Sequence, residues 1–109
     1  MTTTARYTTP DGKFHLMVEP NDDLIGFEGF AWHTHGDLVT EYRVEPPVES
    51  VPQFLEAVFA DRLVIAVSRV GDRVVDVLIT DDPELELKYV PEGEAVELRY
   101  WSGKKYHAV

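Results

Sequence analysis

The hydrophobic residues between positions 50 and 80 follow a helical spacing first and a strand-like spacing directly afterwards. Apolar residues at i, i+4, i+7 and i+8 predict a helix with one buried stripe. Ser50 and Gln53 form an S-x-x-Q capping box, which places the start of the helix at this serine. The stripe consists of Val51, Leu55, Val58 and Phe59, with Phe54 at its edge.

Two apolar strands are predicted directly after this helix. Residues 63–67 read LVIAV and residues 73–80 read RVVDVLIT, with a glycine and an aspartate at positions 71 and 72 for the turn between them. A strand that is apolar on both of its faces is usually central in its sheet. We therefore expect residues 63–67 to form a central strand and its hairpin partner to lie beside it.

Alternating apolar and polar residues predict five further strands elsewhere in the chain. The predicted ranges are 13–19, 28–33, 38–44, 85–89 and 96–100. The order βββ-α-ββββ and the short connections predict an α+β fold. The predicted fold is a single mostly antiparallel sheet with one helix packed on one face. Residues 1–109 would form a single domain.

Two parts of this prediction involve less regular patterns. Residues 1–12 are expected to form a loose arm that ends in a Pro-Asp-Gly turn. Residues 34–37 would be the hairpin loop between the strands at 28–33 and 38–44. The alternative for the second of these strands is a short helix from 36 to 43, with Thr34 as its cap and Asp37 three residues later.

The composition limits the classes of function. The chain has 109 residues, no cysteine and a formal net charge of −10. The charge argues against direct nucleic-acid binding, because phosphates are bound by basic surfaces, and it favours a basic protein partner. The sequence lacks a phosphate-binding glycine loop, a nucleophile elbow, a signal-peptide core and any apolar run near the ~20 residues that a membrane span needs. The cytoplasm is the expected location, because a chain without cysteine fits a reducing compartment.

One short histidine motif is a candidate metal site. His33 and His35 would point to the same side of an extended backbone, as side chains at i and i+2 do. Such a pair with a carboxylate is a plausible start for a zinc or iron site. Asp37, Glu28 or His15 could supply the third ligand. The motif therefore predicts, as an alternative function, a small enzyme that depends on one divalent transition metal.

A group of acidic residues between positions 81 and 86 is the candidate partner-binding surface. Asp81, Asp82, Glu84 and Glu86 lie within six positions without a basic residue among them. On a loop between two strands they would be exposed and could meet a basic protein. Carboxylates this close could also bind Ca²⁺ or Mg²⁺ or act as an acid–base pair, although the spacing differs from that of an EF-hand loop.

Two tryptophans complete the candidate interface. Trp32 and Trp101 are expected to be interface anchors, since tryptophan is enriched at binding hot spots. In size, acidity and lack of a catalytic motif, the chain is similar to the immunity proteins that neutralise bacterial toxins. The sequence thus favours a non-catalytic acidic protein-binding domain that masks a basic partner. A ligand-sensing module that uses the aromatic residues is a further alternative.

Overall fold

The chain forms two antiparallel sheets and two helices, and the computed structural model describes residues 4–22 and 24–107. Sheet A consists of β1 (Ala5–Thr8), β2 (His15–Val18), β3 (Ile25–Phe27) and β4 (His33–Thr34) in that order. Sheet B consists of β5 (Val64–Val70), β6 (Arg73–Thr80) and β7 (Ala95–Arg99), and β5 lies in its centre. The helices are α1 (Val51–Phe59) and α2 (Pro83–Lys88).

The α+β class and the mostly antiparallel pairing are confirmed, whereas the single sheet is wrong. The chain leaves sheet A after the two-residue strand β4, makes a 3₁₀ turn at Val39–Glu41 and then enters α1. The predicted strand at 38–44, which would have extended the sheet, is therefore replaced by this turn. The helical alternative was closer to the structure, although the helix lasts for one turn only. Val39 is buried, and the Tyr42 hydroxyl donates a hydrogen bond of 3.2 Å to the Ile79 carbonyl oxygen of sheet B.

One face of each sheet and the apolar side of α1 enclose the main core. Sheet A contributes side chains such as Leu16 and Ile25, and sheet B contributes Ile65 and Val77, all of them fully buried. The predicted start of α1 is confirmed, because the Ser50 hydroxyl accepts a hydrogen bond from the Gln53 N–H at 3.3 Å. Within the predicted apolar stripe, Phe54 is more buried and Phe59 less buried than the spacing predicts.

The burial of two phenylalanines of α1 is the reverse of what their spacing predicts. Phe54 is fully buried and its ring packs against Tyr42, at 5.0 Å between centroids. Phe59 is 37% exposed and lies at the end of the helix, between Tyr7 and Trp101. The buried side of α1 therefore includes Phe54, which the spacing placed at the edge of the stripe, and leaves Phe59 at its margin.

Four of the nine described residues of the predicted loose arm form an edge strand, Ala5–Thr8. β1 pairs with β2, from Ala5 opposite Val18 to Thr8 opposite His15. Ala5 and Tyr7 pack against the main core. This packing, together with the pairing to β2, holds a segment that is otherwise polar in composition. Residues 1–3 of the predicted arm lie outside the described residues.

The predicted strand at 28–33 is also shifted. β3 ends at Phe27, and the residues that follow make a turn in which Gly29 has a φ of +88°, which favours glycine. β4 then begins at His33. β4 pairs closely with β3, with His33 opposite the buried Gly26, and a Cβ at Gly26 would lie 2.8 Å from the Trp32 carbonyl oxygen.

The predicted strand at 85–89 is wrong, because this segment belongs to α2. Asp82 caps the helix, and its carboxylate accepts a hydrogen bond of 3.3 Å from the Leu85 N–H. Pro83 follows at the first helical position, where its missing N–H is tolerated. These two signals outweigh the strand-like alternation. The acidic residues 81–86 consequently lie at the start of a helix and not on a loop between strands.

Candidate functional site

Sheet B is apolar on both of its faces, and only one of them contacts the main core. The face turned away from that core is called here the outer face. It forms a second cluster, in which Val64, Ala66 and Leu98 are buried. Partly buried side chains surround these three: Leu78, Val96, Tyr100 and Tyr106. An apolar sheet face needs a cover, and α2 supplies it by packing on β5 and β7.

This cover is incomplete. α2 has six residues, and none of them is buried. Leu85, Leu87 and Tyr89 are 49%, 46% and 72% exposed, respectively, and are named here the apolar strip. The helix is too short to be stable by itself in water, so its cap and its contacts with sheet B hold it in place. The described part of the chain thus leaves three large apolar side chains partly exposed, and Leu85 and Leu87, two positions apart, lie on different sides of α2.

Glu86 of α2 lies within electrostatic reach of two other carboxylates. Burial raises the pKa of Glu86, and the negative charges of Asp76 and Asp82 raise it further. Asp76, Asp82 and Glu86 are named here the carboxylate cluster. Asp82 is the N-cap residue of α2. The backbone N–H of Asp82 donates a hydrogen bond of 2.9 Å to the Thr80 hydroxyl. Because these charges repel one another, a cation between them would be favourable.

Asp76 was not singled out from the sequence, although a signal for it was present. In the strand RVVDVLIT, alternation places Asp76 on the same face as Leu78 and Thr80, opposite the core residues Val77 and Ile79. A carboxylate on this mostly apolar face is unexpected, because partial burial of a charge is unfavourable. The return of α2 across that face, which brings Glu86 close to it, was not predicted.

The other predicted acidic residues have different roles. Asp81 accepts a hydrogen bond of 2.7 Å from the backbone N–H of Arg43, and its carboxylate lies 3.8 Å from the Arg43 Nε atom. It therefore fixes the segment before α1 against the end of β6. Glu84 is exposed on the first turn of α2. Lys88 is the basic residue of the last turn of α2, and its Nζ atom lies 5.5 Å from the centre of the Tyr89 ring.

The two tryptophans lie away from the carboxylate cluster in different surroundings. Trp101 is 8% exposed, and its ring packs against Phe59 with 4.8 Å between centroids. It is part of the main core, which leaves little of it for an interface. Trp32 is half-buried beside Phe27, with 6.2 Å between ring centroids. Neither residue belongs to the apolar strip or to the carboxylate cluster.

The predicted histidine pair is brought together. The rings of His33 and His35 are nearly perpendicular, with 5.1 Å between their centroids. The Nδ1 atom of His33 lies 3.1 Å from the Ala31 carbonyl oxygen. His35 and Asp37 line a cleft with a volume of about 640 Å³ at the start of α1. The arrangement thus places two imidazoles side by side at the surface of the protein.

Two of the candidate third ligands for a metal have other partners. His15 contacts the Thr8 hydroxyl at 2.9 Å, and Glu28 accepts a hydrogen bond of 2.9 Å from Arg6. Within residues 4–22 and 24–107, no group of three or more histidine, aspartate or glutamate side chains is arranged to hold a metal ion. The metal-dependent enzyme remains a prediction from the sequence.

The comparisons with known proteins add no functional information. No protein-family model, curated protein sequence or solved structure matches the chain. In the described residues, no helix has the length and apolar character needed to cross a membrane. The candidate functional site is the α2 surface, which comprises the apolar strip, the carboxylate cluster and Glu84.

Proposed function

We propose that this chain is a non-catalytic protein-binding domain that masks a basic protein, as an inhibitor or an immunity protein does. The observation that carries the proposal is the carboxylate cluster beside the apolar strip. Carboxylates that repel one another at a partly covered surface are stabilised when a cationic partner approaches. Three groups contribute to the cluster from two elements, β6 and the start of α2.

The charge of the whole chain supports the same partner. A formal net charge of −10 over 109 residues gives the protein a field that attracts cations and repels nucleic acid. Such a field accelerates the encounter with a basic protein and contributes less to the lifetime of the complex. A cytoplasmic location belongs to this proposal, because the chain contains no cysteine that an oxidising compartment could use.

The test begins with affinity capture from the source cell, followed by association kinetics with the captured protein. The informative variant is the pair Glu84→Gln and Glu86→Gln. Asp81 and Asp82 are left unchanged, because they hold Arg43 and cap α2, so their replacement would disturb the fold. We expect a captured partner with a basic face and an association rate that falls several-fold at low salt.

The matched control removes the same charge elsewhere. Glu19 and Glu49 are both exposed and lie outside the α2 surface. Glu19 follows β2, and Glu49 precedes α1. Their double replacement by glutamine should change the rate much less. Both effects should shrink in concentrated salt, since screening weakens interactions between exposed charges. An acidic partner, or equal rates for the two double variants at low salt, would show that the α2 surface does not steer association.

A further inference from the structure

A buried threonine positions the two histidines of β4 and of the turn that follows it. Thr34 is 6% exposed, so its side chain points into the protein and the side chains on either side of it point away from the core. These belong to His33, which is exposed, and His35, which is half-buried. The Leu38 N–H closes the turn by donating a hydrogen bond of 2.9 Å to the His35 carbonyl oxygen. The backbone therefore presents both imidazoles on the same side of one short segment.

The separation of the two rings fits a shared metal ion. The centroids of His33 and His35 are 5.1 Å apart. Two imidazoles that bind one ion through nitrogen at about 2.0–2.1 Å have centroids about 4.5–5.2 Å apart, for ligand angles between square-planar and tetrahedral. The observed distance lies within this range, so the pair has the spacing of a chelate without movement of the backbone.

The contact of the His33 ring with the backbone determines which nitrogen can bind a metal. Its Nδ1 atom lies 3.1 Å from the Ala31 carbonyl oxygen. A carbonyl oxygen only accepts hydrogen bonds, so Nδ1 donates and, in the neutral ring, Nε2 carries the lone pair. Histidines that bind metals commonly donate their second ring N–H to a carbonyl group, which fixes the orientation of the ring. His33 thus has the hydrogen bonding of a metal ligand that binds through Nε2.

The surroundings of the pair leave coordination positions open. His35 and Asp37 line the cleft of about 640 Å³ at the start of α1. The pair supplies two ligands, because no group of three or more histidine and carboxylate side chains is arranged for a metal within residues 4–22 and 24–107. Water or a group from a small molecule in the cleft completes the coordination. The net charge of −10 also attracts cations to the protein.

We infer that His33 and His35 together bind one divalent late transition metal ion, with Cu²⁺ bound more tightly than Ni²⁺ or Zn²⁺. Imidazole nitrogen is a suitable ligand for these ions, and the affinity of a given site is highest for Cu²⁺. Mg²⁺ prefers oxygen ligands and does not compete for such a pair. The inference does not rest on the proposed function, because the pair lies on β4 and the turn after it, outside the α2 surface.

The experiment titrates the full chain, without an affinity tag, with Cu²⁺ or Ni²⁺ in a buffer that does not bind metals. Isothermal calorimetry should give one ion per chain, with Cu²⁺ bound more tightly than Ni²⁺. An excess of Mg²⁺ should leave the binding of Cu²⁺ unchanged. Bound Cu²⁺ is paramagnetic, so the loss of backbone amide signals in nuclear magnetic resonance spectra should be centred on residues 33–37. This measurement locates the site in the wild-type protein.

The four histidines of the chain provide matched variants. His33→Gln with His35→Gln removes the pair, whereas His15→Gln with His107→Gln removes two imidazoles elsewhere, in β2 and after β7. The first double variant should bind Cu²⁺ at least about tenfold more weakly, corresponding to about 1.4 kcal/mol, and the second should bind it as the wild type does. Each single replacement within the pair should lose most of the affinity, because one imidazole cannot chelate. Circular dichroism checks the fold of each variant.

Three outcomes would overturn the inference. Equal affinities of the two double variants for Cu²⁺, or displacement of the ion by Mg²⁺, would assign the binding to surface carboxylates. A wild-type chain that binds neither Cu²⁺ nor Ni²⁺ has no such site. None of these results bears on the association of the α2 surface with a captured partner, so the inference and the proposed function fail independently.

Discussion

The Arg99 guanidinium donates a hydrogen bond of 2.6 Å to the Asp11 carboxylate, although 88 positions separate the two residues. Arg99 ends β7 in sheet B, and Asp11 lies in the turn between β1 and β2 of sheet A. Arg99 is 6% exposed, and its guanidinium carbon also lies 5.2 Å from the centre of the Phe14 ring. The pair thus ties the first turn of sheet A to the last strand of sheet B.

Stability should depend on pH through this pair. Burial alone would raise the pKa of Asp11, but hydrogen bonds from the Thr9 hydroxyl and Arg99, with the Arg99 charge, hold that pKa well below its ordinary value. The charged carboxylate therefore stabilises the fold above about pH 4, and this contribution is lost as the pH falls towards the folded-state pKa. Asp11→Asn should cost about 1–3 kcal/mol at pH 7, because it weakens the contact of a buried cation.

Urea unfolding at pH 7, 5 and 3 measures this effect. The difference between wild type and Asp11→Asn should shrink at pH 3, where the wild-type carboxylate begins to lose its advantage. Asp72→Asn, in the exposed turn between β5 and β6, is the control and should change the free energy of unfolding little at any pH. A difference as large at pH 3 as at pH 7 would contradict the assigned role of the charge.

The two phenylalanines of α1 should differ in their contributions to stability. Phe54→Ala removes a fully buried ring and should cost about 3–5 kcal/mol, since the loss of transfer free energy is joined by a cavity. Phe59→Ala removes a partly exposed ring at the helix end and should cost about 1–2 kcal/mol. Denaturant midpoints of the two variants provide the comparison. Equal losses, or the larger loss at Phe59, would mean that the helix presents a different face to the core.

Gly26→Ala should separate β4 from β3. The added Cβ would lie 2.8 Å from the Trp32 carbonyl oxygen and 3.3 Å from the His33 Cβ atom. Backbone must move to remove this overlap, at a cost of about 1–3 kcal/mol. Amide hydrogen exchange should become faster at Thr34, whereas the β5–β6 hairpin should remain protected. Unchanged exchange at Thr34 would show that β4 accommodates the methyl group without moving.

Glu86→Gln should stabilise the protein at neutral pH. The pKa of Glu86 is raised by burial and by Asp76 and Asp82, so its charged form is disfavoured in the folded state. Stability is then highest below the unfolded-state pKa, near 4.5, and falls as the pH rises through the folded-state value. Glutamine removes this penalty, and the gain over wild type at pH 7 should disappear at pH 4.

Thermal and urea unfolding at both pH values test this prediction, with Glu84→Gln as the control on the exposed side of α2. That control should change stability much less at pH 7. A Glu86→Gln variant that is less stable than wild type at pH 7 would mean that the carboxylate is held by favourable contacts and is not repelled by its neighbours.

Local interactions account for the parts of the fold that the sequence determined by itself. The Ser50 cap acts within one helical turn, and Gly71, with a φ of +59°, makes the tight turn between β5 and β6. Both signals act between residues that are close in sequence, so they can be recognised without knowledge of the tertiary structure. The start of α2 at Asp82 and Pro83 belongs to the same class, although its strand-like alternation concealed it.

Only the tertiary structure decided which elements meet. Between the two sheets the chain buries Val39 and joins Tyr42 to β6 by a hydrogen bond, and no local pattern contains these contacts. The carboxylate cluster depends both on the local strand pattern and on the tertiary structure. Alternation alone places Asp76 on the outer face of sheet B, but Glu86 reaches it because α2 folds back over that face. The physical reason is that an apolar sheet face must be covered, and this requirement acts between residues that are distant in sequence.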